Sequence, residues 1–157
     1  MENNISIRAA RAEDSSPACE LVRDSITQLC KADHMGEPLT LQGWLANKSA
    51  ANFIFWITTP GSNVLIAERG GEMIGVGAVR DDGEVMLNYV APAARFQGVS
   101  SALLTAMEIL AREKRAERMS LTTTETARRF HEARGYVAEE EEGDLFSEEQ
   151  CGMTKEF

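Results

Sequence analysis

Between Val90 and Leu104 the chain reads Val-Ala-Pro-Ala-Ala-Arg-Phe-Gln-Gly-Val-Ser-Ser-Ala-Leu-Leu, and this stretch holds the residue types best suited to chemistry. A β-rich run ends at Val90, a loop carries Arg95 and Gly98, and helical spacing begins near Val99. A fresh helix N-terminus offers several unpaired N–H donors and the positive end of a helix dipole. Phosphate is the ligand that such a terminus favours. The stretch thus combines a strand end, a glycine and a fresh helix N-terminus. The stretch is not a Walker loop, because GxxxxGK followed by Ser or Thr is absent. Nor is it a dinucleotide fingerprint, because one glycine stands where G-x-G-x-x-G needs three.

The elements that must position this loop follow from periodicity. Ile5 and Ile7 alternate with polar residues up to Arg8 and predict a first strand. Asp14 and Ser15 cap a helix in which Ala18, Leu21, Val22, Ser25, Ile26 and Leu29 share one face, ended by Gly36 and Pro38. A second helix starts at Thr40. A third runs from Ser49 through Phe53, Trp56 and Ile57 to Pro60-Gly61. Val64–Glu68, Met73–Arg80 and Glu84–Val90 read as three antiparallel strands, joined by Arg69-Gly70-Gly71-Glu72 and Asp81-Asp82-Gly83. The helix from Gly98 to Glu113 then crosses over to a strand at Arg118–Thr123, which is parallel to the strand before it. A short helix at Thr126–Arg134 follows, with Gly135 at its end. Strands at Tyr136–Glu141 and Met153–Glu156 close the chain, with a loop through Gly143–Gly152 between them.

Composition narrows the function classes. With 157 residues, 43% of them hydrophobic, the chain is long enough for one domain with a real core. A net charge of −9 argues against nucleic-acid binding, which needs Lys and Arg to neutralise phosphates. That charge is either a solvated acidic surface or a complement to a cationic substrate. No apolar run approaches the roughly 20 residues of a membrane span. The first ten residues lack the pattern of a signal peptide, so a cytoplasmic protein is expected. Cys19 and Cys30, on one helix, would stand about 16 Å apart along its axis. Free thiols in a reducing compartment are therefore expected rather than a disulfide. His34 and His131 have no ligand-like spacing, and no metal site is expected.

Arg95-Phe96-Gln97-Gly98-Val99-Ser100 resembles the acyl-CoA pyrophosphate loop of the GNAT N-acetyltransferase superfamily, in which Gln or Arg is followed by x-x-G-x and then Gly or Ala. Val90-x-Pro92 and Leu103-Leu104 fit the same consensus. Phe130-His131-Glu132-Ala133-Arg134-Gly135-Tyr136 resembles the family's second conserved stretch, F-Y-x-x-x-G-F, and the element order agrees over nearly the whole chain. The resemblance implies a mixed α/β (α+β) fold over a single domain, residues 1–157. It also implies a mostly antiparallel sheet of roughly six or seven strands, with the fourth and fifth parallel and splayed apart, flanked by about four or five helices.

The implied activity is N-acetyl transfer from acetyl-CoA to an amine of a small molecule or peptide, by direct attack in a ternary complex. The alternative is a non-catalytic acyl-CoA-binding or regulatory module on the same fold. By resemblance, the backbone N–H groups of Gln97, Gly98, Val99, Ser100 and Ser101 ring the CoA pyrophosphate, in the loop carrying Arg95 and Phe96. Pantetheine pairs with the strand edge at Tyr89 and Val90, and the Val90 N–H polarises the thioester carbonyl. Ala127 and Phe130 lie on the CoA side. Thr124 stands where many relatives have a CoA-contacting Asn, and Ser100 replaces Gly or Ala.

Proton transfer has candidates only. Glu84 falls where the histone-acetylating branch keeps a catalytic Glu, yet it also directly follows a turn, where a solvated acid is common. Asn88 and Tyr89 lie nearer the thioester, and adjacent strand residues face opposite ways, so one of the two points into the cleft. His131 replaces the Tyr that assists the departing thiolate. It either donates a proton, orients the sulfur while neutral, or lies on the helix surface. Asp33, His34 and Glu37 either select a cationic acceptor or cap and solvate a loop, and Trp44, Phe53 and Trp56 are either core or acceptor wall. Relatives often form dimers through their terminal strands, but no motif here requires a homodimer.

Overall fold

A computed structural model describes residues 4–29, 37–138 and 150–157. Within them the chain forms β1 (Ser6–Ala9), α1 (Ser15–Leu29), α2 (Pro38–Leu45), α3 (Ala50–Thr58), β2 (Ser62–Arg69), β3 (Glu72–Arg80) and β4 (Val85–Val90). It continues with α4 (Val99–Glu113), β5 (Arg118–Thr124), α5 (Glu125–Ala133), β6 (Val137–Ala138) and β7 (Gln150–Glu156). The expected mixed α/β architecture is present. Asp33, His34 and the stretch 139–149, with its acidic run, lie outside the described residues.

Strands β1 to β4 form one antiparallel sheet in sequence order, and β5, β7 and β6 form a second in the order β5-β7-β6. The two meet at one parallel bridge, Glu84 with Ser120, beyond which β4 and β5 separate. The expected splayed pair is thus a fork whose root is a single bridge. Gly83 makes that root possible. Its carbonyl accepts from the Ser120 N–H at 2.9 Å. A Cβ at Gly83 would stand 1.9 Å from the Arg118 carbonyl oxygen, and its φ is +94°.

Alternation along the strands divides the core in two. Leu65, Ala67 and Val79 pack with Val99, Leu103, Leu104, Met107 and Ala111 of α4 on one face. Val64, Ile66, Val76, Ala78 and Leu87 pack with Ala18, Leu21, Val22 and Ile26 of α1 and Phe53 of α3 on the other. Phe53 is therefore core, as is part of Trp56. Helix α4 sits close on β3 because Gly75 and Gly77 leave room. A Cβ at Gly75 would stand 2.6 Å from Val99 and 3.0 Å from Leu103.

Several boundaries differ from the sequence expectation for local reasons. α2 starts at Pro38 rather than Thr40, since the Glu37 carboxylate accepts from the Leu39 N–H and Pro38 suits the first turn. β7 starts at Gln150 rather than Met153, carried backward by pairing with β5 as far as Thr124. In β4, Ala78 pairs with Leu87 but Val79 with Val85, so Met86 is the extra residue of a bulge.

The start of α1 is held by ions rather than by a hydroxyl cap. Asp14 is buried and receives both Arg8 Nη1 and Nη2, at 2.8 and 2.9 Å, and the Arg11 N–H at 2.7 Å. Arg8 also reaches Glu68 on β2. The Arg8 hydrogen bonds hold the Asp14 carboxyl down at about 2. On the opposite side, Tyr136 donates to Glu108 at 2.8 Å and Lys155 reaches both Glu108 oxygens at 3.2 Å, tying β7 to α4.

Two outcomes follow. Gly83→Ala lowers stability by about 2 kcal/mol or more in thermal or urea unfolding, because backbone must move to admit the methyl group. Gly70→Ala, whose Cβ meets nothing, costs only the left-handed strain of about 1–2 kcal/mol. Since the folded pKa of Asp14 lies below its unfolded value of 3.8, its contribution is complete above that value and is lost as pH falls toward 2. Urea midpoints at pH 6 and pH 2.5 should show an acid-side loss that includes about 2 kcal/mol from this group, and Asp14→Asn should remove that part.

Candidate functional site

Where β4 leaves β5 its outer edge has no strand partner among the described residues, and the direction of its backbone groups can be read from the ladder. The Ala91 N–H donates to Ile74 on β3 at 2.9 Å. Successive residues of a strand alternate, so the Val90 and Asn88 N–H groups point away from β3 and into the fork.

A cavity of about 810 Å³ occupies this fork. It is lined on one side of the sheet by Arg95, Phe96, Gly98, Val99, Ser100 and Ser101, and by Ala127, Phe130, His131 and Arg134 of α5. On the other side it is lined by Ser25 of α1, Gly43 of α2, and Asn47 and Lys48 of the following loop. Asn88, Tyr89 and Val90 form its waist. Because α1 and α4 cover opposite faces, the cavity passes through the sheet.

The α4 N-terminus is open toward it. Gly98 is the N-cap with φ +84°, no side chain caps the first turn, and a Cβ at Gly98 would meet nothing within 4 Å. The loop before it is held in place by Arg69 Nη1, which donates to Gln97 Oε1 at 2.5 Å, and by Gln97 Nε2 on the Ala93 carbonyl at 3.3 Å. Phe96 also has a left-handed φ of 65° and is 89% exposed, with the Arg95 guanidinium 4.5 Å from its ring centroid. Asn88 and Ser100 lock strand to helix. Asn88 Nδ2 donates to the Ser100 carbonyl at 3.2 Å, and Ser100 Oγ donates to Asn88 Oδ1 at 2.9 Å. Asn88 thus faces α4, whereas Tyr89 packs toward the α1 layer. Ser100, a departure from the Gly or Ala of related loops, has a structural task here.

His131 is buried, not on the helix surface. Its Nδ1 lies 2.9 Å from Thr123 Oγ1, and its ring stands edge-on to Phe130 and Tyr136. Burial pushes its pKa down to about 4, Arg134 adds to that, and a hydrogen bond with the Ala127 backbone opposes them. The imidazole is therefore neutral near pH 7.

Glu84 is placed apart. It is exposed, pairs with Arg80 at 3.9 Å, and lines a separate cavity of about 430 Å³ at the root of the fork with Val85, Met86, Ser120, Leu121, Thr122 and Gly152. Thr124 ends β5 immediately before α5.

Arg134, Lys48, Asn47 and Ser25 were not singled out by sequence reasoning. Arg134 Nε donates to Ser101 Oγ at 3.2 Å, its Nη1 to the Phe130 carbonyl at 3.0 Å, and its guanidinium stacks 3.8 Å from the Phe130 centroid. Its position one helical turn after Phe130 was the available signal. Among the described residues lining the large cavity, the charged ones are Lys48, Arg95 and Arg134, all positive.

Residues 30–154 match a family model described as an acetyltransferase (GNAT) domain. A structure of a GCN5-related N-acetyltransferase from Rhodopseudomonas palustris is 26% identical, covering 97% of this chain and 95% of that one at a TM-score of 0.83. A PaiA N-acetyltransferase from Thermoplasma acidophilum, in complex with coenzyme A, is 18% identical over 98% and 99% of the two chains at 0.82. A GNAT family acetyltransferase from Elizabethkingia anophelis with acetyl-CoA bound is 16% identical over 99% and 100% at 0.65. No curated protein sequence matches the chain. Among the described residues, no helix is long and apolar enough to cross a membrane.

The site geometry has a pH consequence. An NMR titration of the His131 ring protons should give a midpoint near 4, not near 6.5. Since the unfolded chain takes up that proton first, stability should fall as pH drops from about 6.5 to about 4. His131→Phe should flatten that slope.

Proposed function

The chain belongs to the GNAT acetyltransferase family, and we propose that it is an acetyl-CoA-dependent N-acetyltransferase acting on an amine by direct attack in a ternary complex. The observation that carries this reading is the cavity through the sheet, with an uncapped helix N-terminus at one end and the Val90 N–H turned into its waist.

The donor end fits a CoA pyrophosphate. N–H groups from Gln97 to Ser101 offer hydrogen bonds to phosphate oxygens, the open space over Gly98 admits them, and Arg95 and Arg134 supply countercharge. Arg134 is held by Ser101 and by the Phe130 ring, so it is pre-positioned. Pantetheine takes the vacant edge of β4 as an added strand would. This places the thioester oxygen at the Val90 N–H, where negative charge develops during attack.

Attack forms the C–N bond and breaks the C–S bond. The acceptor must first lose a proton, because an alkylammonium of pKa about 10.4 is mostly charged at pH 7. The exposure of Glu84, its Arg80 partner and its separate cavity favour a solvated acid over a direct base. The proton then leaves to water in the cavity. His131, neutral and buried, serves to orient the departing sulfur by a hydrogen bond instead of delivering a proton. In this reading Asn88 is a positioning residue, since it fixes the strand edge against the first turn of α4.

Calorimetry with acetyl-CoA and thiol release over a panel of amines test the proposal. Gly98→Asp places a carboxylate at the phosphates and should weaken binding by about a hundredfold or more, and Arg134→Ala by about tenfold. Unchanged affinity in Gly98→Asp would remove the donor assignment. Tight acetyl-CoA binding with no thiol release on any amine would leave a binding module in place of the enzyme.

A further inference from the structure

The cavity has an end that the donor does not use. Ser25, Gly43, Asn47 and Lys48 line it there, and they belong to the layer packed on the sheet face opposite α4. A donor anchored at the α4 N-terminus meets this end only with its acyl group, through the fork. These residues therefore face the acceptor.

The loop that carries Lys48 is held to one shape from two sides. From α1, Arg23 Nη1 donates to the Lys48 carbonyl at 2.9 Å and to the Leu45 carbonyl at 3.0 Å, and Cys19 Sγ donates to the Lys48 carbonyl at 3.1 Å. From α3, Asn52 Nδ2 donates to the Asn47 carbonyl at 2.7 Å, while Ser49 caps the helix by accepting from the Asn52 N–H. Backbone polar groups satisfied in this way leave the loop little freedom. It delivers the half-buried Lys48 to the cavity wall, with Nζ donating to Asn47 Oδ1 at 2.6 Å.

Charge decides what such a wall accepts. Among the described residues lining the cavity, Lys48 is the only charged one at this end and none is Asp or Glu. Burial draws the Lys48 pKa below its ordinary value, as expected for an ammonium with little water around it. An anion beside it gains a charge-assisted hydrogen bond, and a second cation meets repulsion at low dielectric.

We infer that this end of the cavity reads a carboxylate: the acceptor is an amine that also carries an acid group, such as an amino acid, held by Lys48 and Asn47 with its amine toward the thioester. This rests on the transferase reading of the same cavity. The transfer balances with one C–N bond formed and one C–S bond broken, one proton of the ammonium lost to water before attack and a second passed from the nitrogen through water to the departing thiolate, which leaves as the thiol. A cationic acceptor is disfavoured by the same wall.

The test uses the full chain and matched acceptors with and without the carboxylate: leucine against isopentylamine, phenylalanine against phenethylamine, and a polyamine as the cationic extreme. The acids should be acetylated with kcat/KM at least about tenfold above their partners. Lys48→Met should raise the KM for the acids about tenfold while leaving the KM for acetyl-CoA unchanged, and Lys48→Arg should recover much of the loss. Preference for the uncharged or cationic amines, or an unchanged acid KM in a folded Lys48→Met protein, overturns the inference. If acetyl-CoA binds but no acceptor reacts, the transferase reading fails first. Calorimetry of N-acetylleucine against the CoA-saturated protein then decides separately: Lys48-dependent binding supports the carboxylate subsite, and its absence overturns it.

Discussion

Two sheets that part from a common root need one place where they are held hard together, and here that place is a glycine. Gly83 brings its carbonyl to the Ser120 N–H, and a methyl group on its α-carbon would stand 1.9 Å from the Arg118 carbonyl oxygen. Any side chain at this position would force the root open. A wider root would let β4 and β5 separate along their length or find a different register. Held as it is, β4 is paired at Glu84 and without a β5 partner by Val90. The vacant strand edge is thus a consequence of one close contact about two turns of strand away from it. The bulge at Met86 lies between the two and adds twist to the departing strand.

An open edge is useful only if the helix that follows it returns to the right depth. α4 does so because β3 presents glycine, not a larger residue, beneath Val99 and Leu103. The last turn of loop before α4 is then short enough for Asn88 and Ser100 to bond across it. The strand edge and the helix N-terminus are therefore one rigid unit, tied at Gly75 from below and at Asn88 from within the cleft. Burying Val99, Leu103, Leu104 and Met107 contributes about 1.5–3 kcal/mol for each side chain, so the helix cannot be displaced without losing core. The hydrogen-bond donors of its first turn are presented by packing rather than by a capping side chain, which would have occupied them.

How much of this was legible depends on the range of the interaction concerned. Gly98 could be read because a positive φ at a helix start is a local demand, visible in adjacent residues. The splayed pair was legible through the crossover between Val90 and Arg118, a topological rule. Gly83, in contrast, looked like any turn glycine, because the atom it must avoid is thirty-five residues away. The burial of His131 was equally hidden: its neighbours Thr123 and Tyr136 come from the strand before its helix and the turn after it, and solvent exclusion is not a property of spacing. Glu84 shows the reverse, since counting along a strand brought an acid to the fork but could not tell which of its two cavities that acid lines. Lys48 carried no pattern at all, since the groups that aim it lie on α1 and α3, which are read as ordinary amphipathic helices.

The net charge of −9 left open either a solvated acidic surface or a cationic substrate, and the cavity wall favours the first. An acidic exterior and a cationic wall are compatible once distance is considered. At physiological ionic strength charges are screened over about 8 Å, so acids scattered over the exterior have little hold on a ligand inside the fork. Within the cavity the charges are partly withdrawn from bulk solvent and act at a lower effective dielectric. Among the described residues, three cations placed at the two ends of one channel are the charges that line it, opposite in sign to the net charge of the molecule. Arg95 and Arg134 face the end where phosphate belongs, and Lys48 faces the end where it does not. A loop pinned from both sides holds Lys48 at the acceptor end, and a carboxylate that comes beside it there gains a charge-assisted hydrogen bond where a second cation would meet repulsion.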